Sequence, residues 1–324
     1  MIHSYKLFFS SPYNNLDSIK IAGAVLSSAF DLYPNRSGEI IEQVSNNALA
    51  FSDPMPYREM DDDKKSFLMF PVPPLPYSIP KGLSREERIR MAKNRKRSAS
   101  FTRLPNLIKV VERFLREGIT QSEATEIFND YKKDNDDDND NFLWNQEMGE
   151  YGVSLMEDEP KVYVRDLMRP GAMRFRVING ASILSYDPIC VFADFEKDYF
   201  KDAISFLQDS GISAFISRGK GKFKALEFNS DIKTGFNGRG YYLLLSKFVP
   251  NEDDLTNIQL DSSYYSLNSF TGISRNGKPL AKIKYFNPGS LLYLTRDIKG
   301  KSVFINGTKR VLVFHPIVVK ILEA

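Results

Sequence analysis

The sequence predicts an α+β fold with antiparallel sheets, on three observations. Each half of the chain opens with a strand and then a helix, most of the remainder reads as short strands, and turn signals stand close enough to join those strands as hairpins. A doubly wound parallel sheet would instead alternate strand and helix throughout.

Tyr5 to Phe9 reads as the first strand. After the Pro12-Tyr13-Asn14-Asn15 turn, Asp17 caps a helix whose apolar positions Ala22, Val25, Leu26, Ala29 and Phe30 recur at helical spacing. Ser66 to Pro80 carries five prolines and is expected to run extended. Lys81 to Arg103 sets nine Lys/Arg against two Glu, a charge of +7 that suits either a solvated run or an RNA-facing segment. Leu107, Ile108, Val111, Phe114 and Leu115 define an amphipathic helix stopping at Gly118, and Thr120-Gln121-Ser122-Glu123 is a capping box opening the next. Lys161 to Ile178 has the look of a β-hairpin turning at Arg169-Pro170-Gly171.

A new unit is expected near Asp187-Pro188, so the division falls into residues 1–186 and 187–324, the first carrying a basic insertion (81–103) and an acidic one (134–160). Ile189 to Phe195 is a strand, and Tyr199, Phe200, Ala203, Ile204 and Leu207 mark a helix ending at Gly211. Further strands are expected at Lys222–Phe228, Tyr241–Phe248, Tyr264–Phe270, Leu280–Phe286, Leu291–Thr295 and Ser302–Ile305, with Asn306-Gly307 as a two-residue hairpin signal leading into Arg310–Phe314.

Composition excludes several classes. The 324 residues are 42% hydrophobic and 26% charged, which is a folded chain of about two domains. No apolar run approaches the roughly 20 residues that span a bilayer, and the N-terminus lacks the order of a signal peptide, so a cytoplasmic location is expected. One cysteine, Cys190, forms no intrachain disulfide, and with His3 and His315 at opposite ends no Cys/His zinc site is expected. Cys190 lies in the apolar run Ile189-Cys190-Val191-Phe192 and reads as a buried thiol. As a calcium loop, the acidic run would set Asp136, Asp138, Asp140 and Glu147 at ligand positions. It places Asn141 where the invariant glycine belongs, and a disordered acidic loop is the stronger reading. No cofactor or metal is expected.

The net charge of +3 is a sum over separated blocks: +7 at 81–103, −8 at 131–160 (two Lys against ten acids) and +8 at 272–310 (nine Lys/Arg against one Asp). Within this pattern, Ser217-Arg218-Gly219-Lys220-Gly221-Lys222-Phe223 is the most informative segment. Its two glycines let the backbone approach a ligand, while Arg218, Lys220 and Lys222 supply cationic donors suited to a phosphodiester backbone. It is not a Walker loop, because a strand comes after it, and a plain glycine turn is the competing reading. Phe215 and Phe223 bracket the loop, and Tyr285 and Phe286 accompany Lys282 and Lys284, an interleaving that suits single-stranded RNA and equally suits a core.

Several segments resemble, in the same order, the fourth subunit of the type III-A CRISPR Csm effector complex, within the RAMP superfamily. They are Tyr5-Lys6-Leu7-Phe8-Phe9-Ser10-Ser11-Pro12 with the helix through Leu26-Ser27-Ser28-Ala29, Phe51-Ser52-Asp53-Pro54-Met55-Pro56-Tyr57, Phe70-Pro71-Val72-Pro73, Val162-Tyr163-Val164-Arg165-Asp166, the glycine-rich loop, Pro288-Gly289-Ser290 and His315-Pro316. Asn14-Asn15 and Ala22-Gly23-Ala24 depart from the family's usual residues. The resemblance implies two RRM-like (ferredoxin-like) domains with an inserted hairpin, placed between Asp134 and Ile178. It also implies a non-catalytic subunit for antiviral defence that holds the five-prime tag of the crRNA and joins the large polymerase/cyclase-like subunit to the repeating backbone subunit. Under that resemblance Arg218, Gly219, Lys220, Gly221, Lys222 and Phe223, with Arg165, Lys282 and Lys284, are the expected RNA contacts. The alternatives are the equivalent subunit of a Cmr complex and a RAMP-fold endoribonuclease, for which His3 and His315 are poorly placed.

Overall fold

The structure is a computed structural model describing residues 2–10, 16–58, 67–77, 84, 86, 101–128, 173–178, 181–186, 188–212, 221–271, 282–305 and 311–323. In chain order its first elements are β1 (Ile2–Phe9), α1 (Ser18–Leu32), α2 (Ser37–Ser45), β2 (Leu49–Phe51), β3 (Met55–Arg58), β4 (Phe67–Pro71) and β5 (Phe101–Arg103). Next come α3 (Leu104–Glu117), α4 (Gln121–Phe128), β6 (Met173–Ile178), β7 (Ala181–Tyr186), β8 (Ile189–Phe195), α5 (Asp198–Ser210), β9 (Phe223–Glu227) and β10 (Gly240–Leu244). The chain ends with α6 (Glu252–Asn257), β11 (Leu267–Phe270), β12 (Ile283–Phe286), β13 (Leu291–Leu294), β14 (Lys301–Phe304), β15 (Val311–Phe314) and β16 (Val318–Glu323).

Local chemistry sets the helix boundaries. The Asp17 carboxylate accepts from the Lys20 amide at 2.9 Å and starts α1 as expected. Thr120 and Glu123 close the expected capping box on α4, the Thr120 amide donating to Glu123 Oε2 at 2.9 Å and the Glu123 amide to Thr120 Oγ1 at 3.3 Å.

The largest sheet has the order β5-β4-β3-β8-β1-β9, with β2 also paired to β8. Its heart is the succession β1-α1-β2-β8-α5-β9 arranged as β2-β8-β1-β9, the strand order of a ferredoxin-like βαββαβ unit. Strands on both sides of residue 187 therefore lie in one sheet, and the expected division at 186/187 cuts through it. Asp187-Pro188 marks where β8 starts, because a turn signal reports a change of chain direction and not which sheet the next strand joins.

β8 is buried on both faces, which explains its unbroken apolar run. Ile189, Val191, Ala193 and Phe195 pack with Tyr5, Leu7 and Phe9 against α1 and α5. Cys190 and Phe192 point the other way, into a second core formed with β3, β4, α3, α4 and residues Leu243, Leu245, Val319 and Ile321. Burial pushes the Cys190 thiol up to about 12, so it stays protonated and unreactive, as its apolar surroundings in the sequence suggest. Between β2 and β3 the ladder is bridged by Ser52, whose amide donates to Phe192 O and whose hydroxyl accepts from the Phe192 amide.

The second core also carries the three-stranded sheet β13-β10-β16. Two-stranded ladders β11-β12, β14-β15 and β6-β7 complete the described pairings. Three expectations change here. Met173–Ile178 pairs forward with Ala181–Tyr186, and the expected partner at 161–172 lies outside the described residues. Phe304 faces Val311, not Lys309 as a two-residue Asn306-Gly307 turn would require. The strand expected over Tyr241–Phe248 ends at Leu244, beyond which Leu245 turns its amide to Ile317 and Phe248 bridges to Phe286. No described helix is long and apolar enough to cross a membrane.

Candidate nucleic-acid interface

The glycine-rich segment leaves α5 and returns to β9 at one point. Gly211 ends the helix with a positive φ of 87°, its amide on Leu207 O at 2.7 Å, and Gly221, at the return, has φ 81°. The Ile212 amide donates to Gly221 O at 2.9 Å, so both ends of the segment are tied together. The Ser10 amide then donates to Lys222 O at 3.0 Å, seating the return beside the end of β1. A residue with a Cβ would be strained at Gly221, and that backbone demand is the reason for glycine there.

Of the expected contacts, Arg218, Gly219, Lys220 and Arg165 lie outside the described residues. Gly221 is buried and Lys222 exposed. Phe223 is buried in the first core, opposite Phe9 in register with ring centroids 5.5 Å apart, so its ring anchors the start of β9. Lys282 and Lys284 are exposed at the β11-β12 ladder, while Tyr285 and Phe286 between them and β13 face inward. Tyr285 packs on Phe314 and Phe286 on Phe248, which is the core reading of those two rings. The structure thus brings Gly221, Lys222 and Phe223 to the β1-β9 end and leaves Lys282 and Lys284 on a separate ladder.

Near the N-terminus of α1, a half-buried charge knot joins three segments. Lys247 Nζ lies 2.8 Å from Asp17 Oδ2, Asp53 Oδ1 accepts from the Ser18 amide at 2.7 Å, and the Lys247 amide donates to Ser18 Oγ at 3.0 Å. Burial pushes the Asp53 carboxyl up to about 6 against the pull of Lys247. At Asp17 burial acts upward too, but the charge and hydrogen bond of Lys247 and the Lys20 amide outweigh it and hold the carboxyl low. The knot fixes the N-terminus of α1 to the segment just after β10. Gly289 makes a second tie: a Cβ there would stand 3.2 Å from Pro71 Cβ and 3.3 Å from Val72 O.

Both histidines are engaged. His315 is buried, its Nδ1 2.6 Å from Leu49 O and its Nε2 3.0 Å from Ser302 Oγ. His3 stacks on Phe195 and lies 2.6 Å from Glu227 Oε1, and Lys201 holds the other Glu227 oxygen at 2.8 Å. Sequence reasoning missed Lys6, Phe8 and Lys224, which share the sheet face of Lys222. Their signal was the alternation within Tyr5–Phe9 and Lys222–Phe228, but it becomes a surface only once β1 and β9 are known to pair.

No protein-family model and no curated protein matches the chain. Solved structures do. A crystal structure of a Csm3–Csm4 subcomplex of the type III-A CRISPR-Cas interference complex matches at 15% identity with a TM-score of 0.53, over 98% of this chain and 99% of that one. The chain has the Csm4 fold. A Csm1–Csm4 cassette bound to AMPPNP matches 100% of this chain and 98% of that one at 14% identity and TM-score 0.48. A type III-B Cmr-beta complex bound to cognate target RNA matches 90% of this chain and 86% of that one at 12% identity and TM-score 0.41. At such identities the Csm4 likeness fixes the fold, and the chemistry has to be argued from this chain's own residues.

Proposed function

We propose that this protein is the RNA-binding subunit of a type III CRISPR effector complex that holds the five-prime tag of the crRNA, without catalysing a reaction. The observation that carries the reading is the glycine-rich segment pinned at Ile212–Gly221 and Ser10–Lys222, which sets an exposed lysine and a positive-φ glycine at the rim of a ferredoxin-like sheet. Backbone amides and cations so placed suit phosphate oxygens, and the Csm4 fold agrees with the role. The same reading has the subunit join the large polymerase/cyclase-like subunit to the repeating backbone subunit, in line with the Csm3 named alongside Csm4 in the first matching structure.

Replacing Arg218, Lys220 and Lys222 together by Ala should weaken crRNA binding and reduce the slope of log affinity against log salt by about 2, at about 0.7 for each phosphate no longer neutralised. Fluorescence anisotropy across a salt series reads both. Unchanged affinity near physiological salt would remove the loop from the interface. Labelled repeat RNA incubated with the protein in EDTA should be bound and left intact; discrete cleavage would favour the endoribonuclease instead.

A further inference from the structure

The pairing of β1 with β9 lays out a surface strip that the loop alone does not explain. Residues directly opposite in an antiparallel ladder share a face. Ser10 therefore stands beside Lys222, Phe8 beside Lys224, Lys6 beside Leu226 and Ser4 beside Phe228. Along β9 these positions recur about 7 Å apart, two residues of strand rise, with the cations Lys222 and Lys224 followed by the apolar Leu226 and Phe228, while across the ladder Lys224 stands opposite Phe8 and Lys6 opposite Leu226.

Four features set this strip apart from an ordinary sheet face. Lys222, Lys224 and Leu226 are exposed, Leu226 at 54%, while Lys6, Phe8 and Phe228 are half-buried. The Lys6 ammonium sits 4.0 Å from the Tyr57 ring centroid and 5.1 Å from that of Phe228, so its charge is held over aromatic faces. The strand's acid is on the other side: Glu227 pairs in register with Tyr5 and is held there by Lys201 and His3, leaving the positions from Ser4 to Ser10 and from Lys222 to Phe228 on this face without a carboxylate. The next strand inward is closed, because Cys190 and Phe192 are fully covered by the second core.

We propose that the β1-β9 strip, through Phe8, Leu226 and Lys224, is a stacking surface for unpaired bases of a single-stranded RNA. This rests on the RNA-binding reading above and adds to it which strands carry bases and which class of RNA fits. Lys222 is common to both regions, so a strand gripped at the loop is already at the end of the strip. Phosphates meet the exposed end of the strip at Lys222 and Lys224, while bases lie over Phe8 and Leu226. A duplex cannot use the strip in this way, since its bases are stacked on each other and present only edges and 2′-hydroxyls.

The test uses the full chain and short RNAs of mixed sequence, single-stranded and as a perfect duplex, in anisotropy titrations over a salt series. Phe8→Leu and Leu226→Ala should each weaken single-strand binding, Phe8→Leu about fivefold or more, with the salt slope unchanged and duplex affinity unmoved. Lys224→Ala should reduce the slope by about 0.7. Leu226→Ala alters only an exposed side chain and keeps the test valid if Phe8→Leu disturbs packing. If Phe8→Leu and Leu226→Ala bind single strands as the parent does, or weaken duplex equally, the strip is wrong while the loop reading stands on its own triple variant. A parent protein that binds neither RNA overturns the RNA reading itself, and the strip with it.

Discussion

Asp254→Ala is expected to destabilise the C-terminal part of the fold by about 4 kcal/mol, because three backbone amides lose a charged acceptor in a buried place. Asp254 is 1% exposed, and its carboxylate receives the amides of Lys299 and Gly300 at 2.8 Å and of Asn251 at 3.0 Å. Its own amide donates to Asn251 Oδ1 at 2.8 Å, so one residue both closes the capping box of α6 and clamps the turn before β14. Asn251 Nδ2 reaches Gly300 O at 3.3 Å and completes the ring of bonds. Asp254→Asn keeps one acceptor oxygen and should cost about half as much. Urea unfolding followed by circular dichroism measures both losses. A change under about 1 kcal/mol for the alanine variant would mean that water or a rearranged turn replaces the carboxylate.

Stability between pH 4 and 6.5 should be nearly flat in the parent protein and steep, in opposite directions, in two variants. Desolvation favours the neutral form of both Asp53 and His315, and their proton linkages oppose each other. The Asp53 carboxyl, raised to about 6 by burial, holds its proton more tightly in the folded state than in the unfolded one. Its contribution is therefore fully present below the unfolded value of 3.8 and lost as pH rises through 6. His315 is lowered from 6.5 to about 4, again chiefly by burial, with the bond to Leu49 O acting the other way. Its contribution is present above 6.5 and lost as pH falls toward 4. Each linkage amounts to about 3 kcal/mol at full extent, from about two pKa steps at 1.36 kcal/mol each.

Asp53→Asn retains an oxygen for the Ser18 amide and removes the first linkage, so this variant should lose stability on acidification. His315→Asn retains a donor for Leu49 O and should lose stability as pH rises from 4 to 6. Denaturation midpoints at half-unit steps of pH read the slopes. Two variants with the parent's flat profile would show that neither group titrates as its surroundings require. Asp17, held low by Lys247, titrates below this window, and Glu123 and Glu227, held below their usual 4.5 by hydrogen-bonded partners, add a loss toward acid at its lower edge that is common to parent and variants and cancels in their comparison.

Much of the local structure was legible because the chemistry that fixes it is local. Ile189–Phe195 could be delimited by an apolar run between turn residues, and α1 and α4 by Asp17 and by Thr120 with Glu123. The expected loop was legible as composition, and the anchors that make it a place in space were not. Ile212 to Gly221 is short-range, but Ser10 to Lys222 spans most of the ferredoxin-like unit, and nothing in either segment names the other. The same gap produced the boundary at 186/187: β8 and β9 look like the opening of a new unit because strand, helix and strand succeed one another, yet they close the sheet that β1 began. Phe223 shows the remaining limit. An aromatic next to cations reads alike whether it stacks on a base or packs on Phe9, and the strand register decides between them.

Recovering the protein from its own cells and sequencing the small RNA bound to it tests the central claim most directly. The expected result is a set of RNAs that share one short five-prime sequence joined to sequences that differ, depleted when Arg218, Lys220 and Lys222 are replaced by Ala. Recovery of no RNA, or of RNA without a common five-prime end, would contradict it.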